Sequence, residues 1–188
     1  MLDHKFAGFC SLICITALLV SCSTTSNTTS DSQNKVTADN SSSQYPSWYQ
    51  SSRSVESDDT AYYGYATAID SDSSSAGEKA TEQAKAELKS AISNRLETIR
   101  NDAVIELGSD SGLDRPRFII ALRKAENEVS EVASMEEIEV ASLEEQGYRA
   151  FSKVAVNKEA LIEELDKAFS ANSNAWNAMK ESEAFSRF

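Results

Sequence analysis

The chain has 188 residues and a formal net charge of −12, which excludes the phosphate-neutralising contacts that dominate nucleic-acid binding and a polybasic contact with anionic lipid. Its one histidine, His4, and its three cysteines, Cys10, Cys14 and Cys22, all fall in the first 22 residues. If residues 1–21 are removed on export, the remaining chain has no histidine and only Cys22, which excludes internal disulfides and serine–histidine, cysteine–histidine or zinc chemistry.

An apolar run from Phe6 to Val20 opens the chain and ends in the tetrapeptide Leu19–Cys22. This run, about 15 residues, is shorter than the roughly 20 that a helix needs to cross the hydrocarbon of a bilayer. A short apolar stretch that ends in small residues and precedes polar sequence is typical of a cleaved export signal. We therefore predict that residues 1–21 are a signal peptide, although Met1–Lys5 lacks the usual net positive charge.

The tetrapeptide Leu19-Val20-Ser21-Cys22 resembles the lipobox of bacterial lipoproteins. The resemblance implies that the Cys22 thiol takes a diacylglycerol and that cleavage falls between Ser21 and Cys22. It also implies that the new amino group is acylated with a fatty acid such as palmitate. More than one acyl chain makes membrane anchoring stable without any protein surface in the bilayer. The alternative is an ordinary cleaved signal in which Cys22 has no role.

Polar sequence separates this anchor from the rest of the chain. Residues 22–45 are rich in Ser, Thr and Asn and nearly devoid of apolar residues, so we predict a flexible linker. Such a linker has a root-mean-square reach of about 25 Å. The aromatic segment Tyr45–Tyr49 follows, and we expect it to pack against the edge of the folded domain. The alternative is an aromatic patch that binds a partner.

A strand and a long helix are predicted next. Strand-forming residues dominate Tyr62–Ile69. From Ala76 an apolar residue recurs at every fourth position as far as Ile92, which is a helical period. This stripe can continue to Leu107, where Gly108 would end the helix. Periodicity also allows a short strand over residues 93–100, so both interpretations remain open here.

The second half of the chain begins with an amphipathic helix. Its apolar residues follow spacings of four, three, four and three, and Asp114 is the predicted N-cap with Pro116 in the first turn. The stripe consists of Phe118, Leu122, Ala125, Val129 and Val132.

Two strands and a last helix complete the predicted domain. The strands, residues 138–140 and 148–156, are joined by a hairpin turn at 144–147 that contains Gly147. Asn157 is expected to cap the helix, whose inner face carries Leu161, Leu165 and Ala168. Residues 46–170 are the predicted domain, and residues 171–188 are a polar C-terminal segment, predicted to be either a loose tail or a short helix.

Aspartate and glutamate residues are the candidates for metal binding or catalysis in this chain. The pair Asp70 and Asp72 follows the first strand, but a calcium loop starting there would need Gly at 75 and Glu at 81, where this chain has serine and threonine. We interpret this stretch as a turn with Ser74 or Ser75 capping the helix. Asp110–Asp114 is interpreted as a turn with an N-cap, with a weak cation site as the alternative. The acidic run Glu136, Glu137, Glu139, Glu144 and Glu145 is interpreted as a solvated face, with loose binding of divalent cations as the alternative. No carboxylate pair is singled out for catalysis, and no cofactor or metal is predicted.

Several of these patterns together resemble the bacterial lipoprotein-20 family, which includes flagellum-associated outer-membrane lipoproteins. The resemblance covers roughly residues 46–170, with the lipobox at Cys22. Its patterns are the Pro46–Tyr49 entry, strand Tyr63–Ala66, helix Glu78–Ser93, and strand Tyr148–Val156 passing into Asn157–Glu159. It implies an α+β domain in which an antiparallel sheet of three or four strands packs against about three helices. It also implies no enzyme activity and, in some members, assembly into envelope complexes. This chain departs from the family in 94–107, where the family commonly has a strand.

Three hypotheses follow. The first is a non-enzymatic lipoprotein of the outer membrane that faces the periplasm and binds or assembles with envelope proteins. The second is a ligand-binding or hydrolytic envelope protein that uses carboxylates; it requires at least two of Asp70, Asp72, Asp110 and Asp114 to converge on a pocket. The third is a self-assembling subunit that associates through exposed strand edges.

Overall fold

The computed structural model describes residues 45–49, 51–143 and 147–188. In these residues a four-stranded antiparallel sheet packs with four α-helices and three short 3-10 helices, which confirms the predicted α+β class. The strands are β1 (Val55–Ser57), β2 (Ala61–Asp70), β3 (Ser134–Leu143) and β4 (Gly147–Asn157), and the helices are α1 (Ser73–Leu107), α2 (Pro116–Val132), α3 (Lys158–Ala168) and α4 (Ser173–Glu181). The predicted signal peptide, Cys22 and the linker up to residue 44 lie outside the described residues.

The sheet has the order β1-β2-β4-β3, so β3 forms one edge. Strands β2 and β4 pair along their whole length, from Ala61 opposite Asn157 to Asp70 opposite Tyr148. Strands β3 and β4 form the predicted antiparallel pair, with a register shift between Met135 and Glu137. Strand β1 was not predicted, because its three residues form a strand only through their pairing with β2.

Helix α1 lies against one face of the sheet and continues without a break to Leu107. The alternative of a strand over residues 93–100 is therefore wrong. Its first half contacts β2 and β4, and its second half extends to α2 and the C-terminal segment. The stripe toward the core consists of Ala76, Ala80, Ala84, Leu88, Ile92, Leu96, Ile99 and Ala103.

Small residues set the distance between α1 and the sheet. A Cβ atom on Gly64 of β2 would lie 2.6 Å from the carbonyl oxygen of Ala84 and 3.0 Å from the Cβ of Leu88. Helix backbone therefore rests almost directly on strand backbone at this point. Because alanine and glycine occupy the contact, little space remains between the two layers.

Two predicted helix caps need correction. The N-cap of α1 is Asp72, whose carboxylate accepts a hydrogen bond of 2.9 Å from the Ser75 N–H, so Ser74 and Ser75 lie inside the first turn. Helix α2 begins one residue later than predicted, at Pro116, and Asp114 does not cap it because Arg115 holds the extended N-cap position. Asn157 caps α3 as predicted, through a 3.0 Å hydrogen bond from the Ala160 N–H.

The C-terminal segment contains the short helix α4, which was one of its two predicted forms, but it is not a loose polar tail. Its side chains belong to the core, so the packed domain does not end at residue 170. Trp176 is 2% exposed, and its ring stacks on Phe169 with centroids 4.6 Å apart. Its indole N–H donates a 2.5 Å hydrogen bond to Asp166. The Tyr62 hydroxyl on β2 donates a 2.5 Å hydrogen bond to the main-chain oxygen of Phe188. These contacts continue the packed domain through Phe188.

The close contact at Gly64 predicts that Gly64→Ala lowers the free energy of unfolding by about 1–3 kcal/mol, because the added methyl group overpacks the helix–sheet contact. Gly77→Ala in α1 is the matched control. There the new Cβ would meet only the Cδ1 of the exposed Ile138 side chain, at 3.0 Å, and alanine is favoured over glycine in a helix by about 1 kcal/mol. Urea unfolding followed by circular dichroism measures the free energy of unfolding of both variants. An equal loss of stability in the two variants would contradict this account.

Candidate binding groove

An apolar groove lies between the edge strand β3 and the first turns of α1. It is open to solvent and encloses about 720 Å³. The apolar groove is defined by Met135, Ile138 and Val140 on β3 and by Ser73, Ser74, Gly77, Glu78, Thr81 and Glu82 on α1. More of its lining surface is apolar than polar.

The register of β3 explains why its apolar side chains face α1. Ile138 lies opposite Ser152 of β4, and Val140 lies opposite Ala150. Because side chains alternate between the two faces of a sheet, this set faces the same side as the core residues of β4. Helix α1 is centred over β2 and β4, so it covers the inner face of β3 only in part.

Small residues (Ser73, Ser74, Gly77 and Thr81) make up most of the α1 wall of the groove. Gly77 allows the Cδ1 of Ile138 to approach the helix backbone, and the Thr81 hydroxyl is 3.1 Å from the Ser152 hydroxyl. Met135, Ile138 and Val140 consequently remain 55%, 43% and 40% exposed. A row of three exposed apolar side chains on one edge strand is a feature that soluble proteins usually avoid.

The main chain of β3 is open along its outer side. The strand pairs with β4 on one side, and within residues 45–49, 51–143 and 147–188 no strand pairs with its other side. An edge strand of this kind presents a row of N–H and C=O groups that can pair with another chain. The apolar groove therefore lies directly beside unpaired strand backbone.

Acidic side chains border the groove on both sides. Strand β3 contains Glu136, Glu137 and Glu139 and no lysine or arginine, while Glu78 and Glu82 stand on the α1 side. Two of these carboxylates are paired: Lys153 is 3.7 Å from Glu137, and Lys85 is 3.3 Å from Glu82.

The carboxylates also affect tyrosine side chains on the outer face of the sheet, whose pKa values they raise. Burial, the neighbouring carboxylate of Glu56 and, more weakly, that of Glu137 raise the pKa of Tyr65 to about 12. A hydrogen bond to Asp58 raises the pKa of Tyr63, and the charge of Glu136 adds to this effect. The sheet edge formed by β3 is therefore an acidic surface around an apolar strip.

The aromatic segment Tyr45–Tyr49 packs on the sheet face opposite the groove, as a packing segment was expected to do. The rings of Tyr45 and Tyr49 lie 5.6 and 4.9 Å from the ring of Phe151 on β4. Pro46, between these two tyrosines in the chain, is buried. The segment covers part of the outer face of the sheet and leaves the groove uncovered.

The four aspartates of the carboxylate hypothesis do not converge. Asp70 and Asp72 precede α1, whereas Asp110 and Asp114 follow it, and the 35 residues of this helix span about 52 Å. Asp70 is paired with Lys79, and Asp110 borders a polar cleft beside Arg115 and Arg117. Among the described residues no group of three histidine, cysteine, aspartate or glutamate side chains is placed to hold a metal ion.

The sequence did not reveal the groove as a site, although a signal for it exists. Met135, Ile138 and Val140 alternate with glutamates once the bulge at Glu136 is allowed for. The interpretation of the glutamates as a solvated face is correct for Glu136, Glu137 and Glu139, which are exposed. Glu144 and Glu145 lie outside the described residues.

Comparison of the chain with models of protein families, with curated proteins and with solved structures finds no match. Among the described helices, none combines the length and the apolar character needed to cross a bilayer.

The environment of Asp70 predicts an acid-dependent loss of stability. A hydrogen bond from Lys79 and another from the Asp72 N–H lower the pKa of Asp70 to about 2 from 3.8. Because the folded-state pKa lies below the unfolded one, this carboxylate stabilises the fold above about pH 4, and the contribution is lost as the pH falls toward about 2. Asp70→Asn should therefore reduce the drop in the free energy of unfolding between about pH 5 and pH 2.

Urea unfolding at the two pH values measures this effect. Asp114→Asn is the control, since Asp114 is exposed and forms no hydrogen bond with the described residues. An identical acid-dependent drop in the Asp70→Asn variant and the unmodified protein would show that this carboxylate does not contribute.

Proposed function

We propose that this chain is a non-enzymatic lipoprotein, held at the outer membrane by acyl chains on Cys22, whose domain binds another envelope protein through the apolar groove. The observation that carries the binding role is the exposed strip Met135, Ile138 and Val140 beside the open edge of β3. Burying such a strip against a partner stabilises the complex by about 25 cal/mol per Å² of apolar surface removed from water.

The anchor rests on the sequence alone. The tetrapeptide ending at Cys22 resembles a lipobox, and the polar residues that follow place the domain at a distance from the membrane surface. Ser23 after the lipidated cysteine agrees with sorting to the outer membrane, where we place the domain on the periplasmic side.

The resemblance to the lipoprotein-20 family supports an assembly role in the envelope, flagellum-associated in some members of that family. The alternative of carboxylate chemistry loses support, because its four aspartates are spread over both ends of α1. The groove itself offers apolar contact area and acidic borders, which suit a protein partner.

Loss of the anchor cysteine gives the first test. Cells expressing Cys22→Ala should incorporate no alkyne-labelled palmitate into the protein, whereas the unmodified chain is labelled. Cys14→Ala is the matched control, since this residue lies in the predicted signal peptide and should leave labelling intact. Labelling of the Cys22→Ala protein at the normal level would overturn the lipoprotein assignment.

Site-specific photocrosslinking tests the binding surface. A photoreactive amino acid at Met135, which is 55% exposed, should give adducts with an envelope protein in living cells. The same amino acid at Ile120, which is 54% exposed on α2, should not, because Ile120 lies outside the groove. Absence of adducts from Met135, or equal yields from both positions, would contradict a binding role for this groove.

A further inference from the structure

We propose that the partner docks by adding a β-strand to the open edge of β3, and that this strand alternates apolar with basic residues. The proposal rests on the binding role proposed above and specifies its chemistry. Three features of the described residues carry it: the unpaired edge, the apolar groove on one side of that edge, and the glutamates on the other.

The geometry of a sheet fixes where the side chains of an added strand would lie. A strand pairs about 4.8 Å from its neighbour, and its side chains alternate between the two faces. Those on the α1 side would extend over the apolar groove and contact Ile138 and Val140, while Met135 lies at the end of the groove, beyond the register shift. Those on the outer side would lie beside Glu137 and Glu139.

The bulge in β3 sets the length of the docking edge. The register shift lies between Met135 and Glu137, so the regular edge covers residues 137–143. At about 3.3 Å per residue, this edge accommodates a strand of roughly seven residues. Bulges commonly interrupt strand pairing, and here the bulge marks one end of the open edge.

Charge decides the composition of the partner strand. The acidic residues stand on both sides of the apolar strip, with Glu137 and Glu139 on the outer face and Glu78 and Glu82 on α1. In an alternating partner strand, lysine or arginine on the outer face would lie beside Glu137 and Glu139, and opposite charges on neighbouring strands stabilise a pair. The central apolar strip requires valine, isoleucine or leucine between the basic residues.

A second copy of this chain fits the edge poorly. Antiparallel pairing of two β3 strands would bring the glutamates of one copy close to those of the other, and like charges on paired strands are destabilising. The net charge of −12 adds repulsion between whole molecules. The observations therefore favour a different protein with a basic strand-forming segment.

Synthetic peptides provide the probe. The full chain, purified in detergent, is titrated against a fluorescently labelled peptide of about nine residues in which valine alternates with lysine. We expect saturable binding by fluorescence anisotropy, together with slower hydrogen exchange of the β3 amides. A peptide in which glutamate replaces every lysine should bind at least tenfold more weakly. Methylation of alternate main-chain nitrogens of the lysine peptide should abolish binding, because it removes strand pairing without changing the protein.

Variants of the chain localise the binding. Ile138→Ser should weaken binding of the lysine peptide about tenfold, and Glu139→Lys should weaken it further in low salt. Ile120→Ser, which removes a comparably exposed isoleucine from α2, should have no effect. Because Ile138, Glu139 and Ile120 are all exposed, the three proteins are expected to fold alike, which urea unfolding verifies.

Four results would overturn the proposal: no saturable binding, equal binding of the glutamate peptide, undiminished binding of the methylated peptide, or a concentration-dependent dimer that Ile138→Ser abolishes. The last result would identify a second copy as the occupant. If peptide binding fails while Met135 still forms crosslinks in cells, strand addition is wrong and the binding role of the groove stands. If both fail, the binding role is wrong as well.

Discussion

The contact between the backbone of α1 and the backbone of β2 is the constraint on which the rest of the domain depends. Gly64 and Ala84 bring the helix and the strand so close that no side chain fits between them. This contact fixes α1 over the two central strands, β2 and β4, and the helix then runs past the end of the sheet. Helix α2, helix α4 and the C-terminal residues pack along that extension, α3 packs on α2, and together they complete the core.

The position of α1 also accounts for the groove. A helix centred over β2 and β4 cannot cover β3 equally well, so apolar residues on the inner face of β3 stay exposed. Gly77 has no side chain at that point, and a larger residue there would fill the space between α1 and Ile138. The same close packing that stabilises the centre of the sheet therefore leaves one of its edges open.

The predicted elements that proved correct are those with a strong local period. The stripes of α1 and α2, strands β2 and β4, and the Asn157 cap follow from spacing and residue type. Strand β1 could not be predicted because its three residues have no period of their own. The C-terminal segment was misjudged because Trp176, Met179 and Phe188 are too sparse to form a stripe, and their burial depends on partners such as Tyr62 far away in sequence.

The groove could not be predicted for a different reason. Sequence alternation in β3 indicates a strand with one apolar face, yet it cannot tell whether a helix covers that face. The dispersal of the four aspartates similarly depends on whether residues 93–107 continue α1, which periodicity left open. Local sequence thus identified the helices and strands, whereas only the three-dimensional structure shows which of their faces are covered by other elements.

The contact between Tyr62 and Phe188 has a consequence for the order of folding. Tyr62 lies on β2, and both its hydroxyl group and its ring contact Phe188, the last residue of the described chain. Its strand, β2, also needs β4, which follows about 80–100 residues later. Contacts between such distant segments form slowly, because the chain loses the entropy of closing a long loop before the contacts can stabilise the fold. Strand β2 therefore cannot complete its pairing and its packing until the chain has been made as far as β4 and the C-terminal segment, so the two halves of the described domain must fold as one unit.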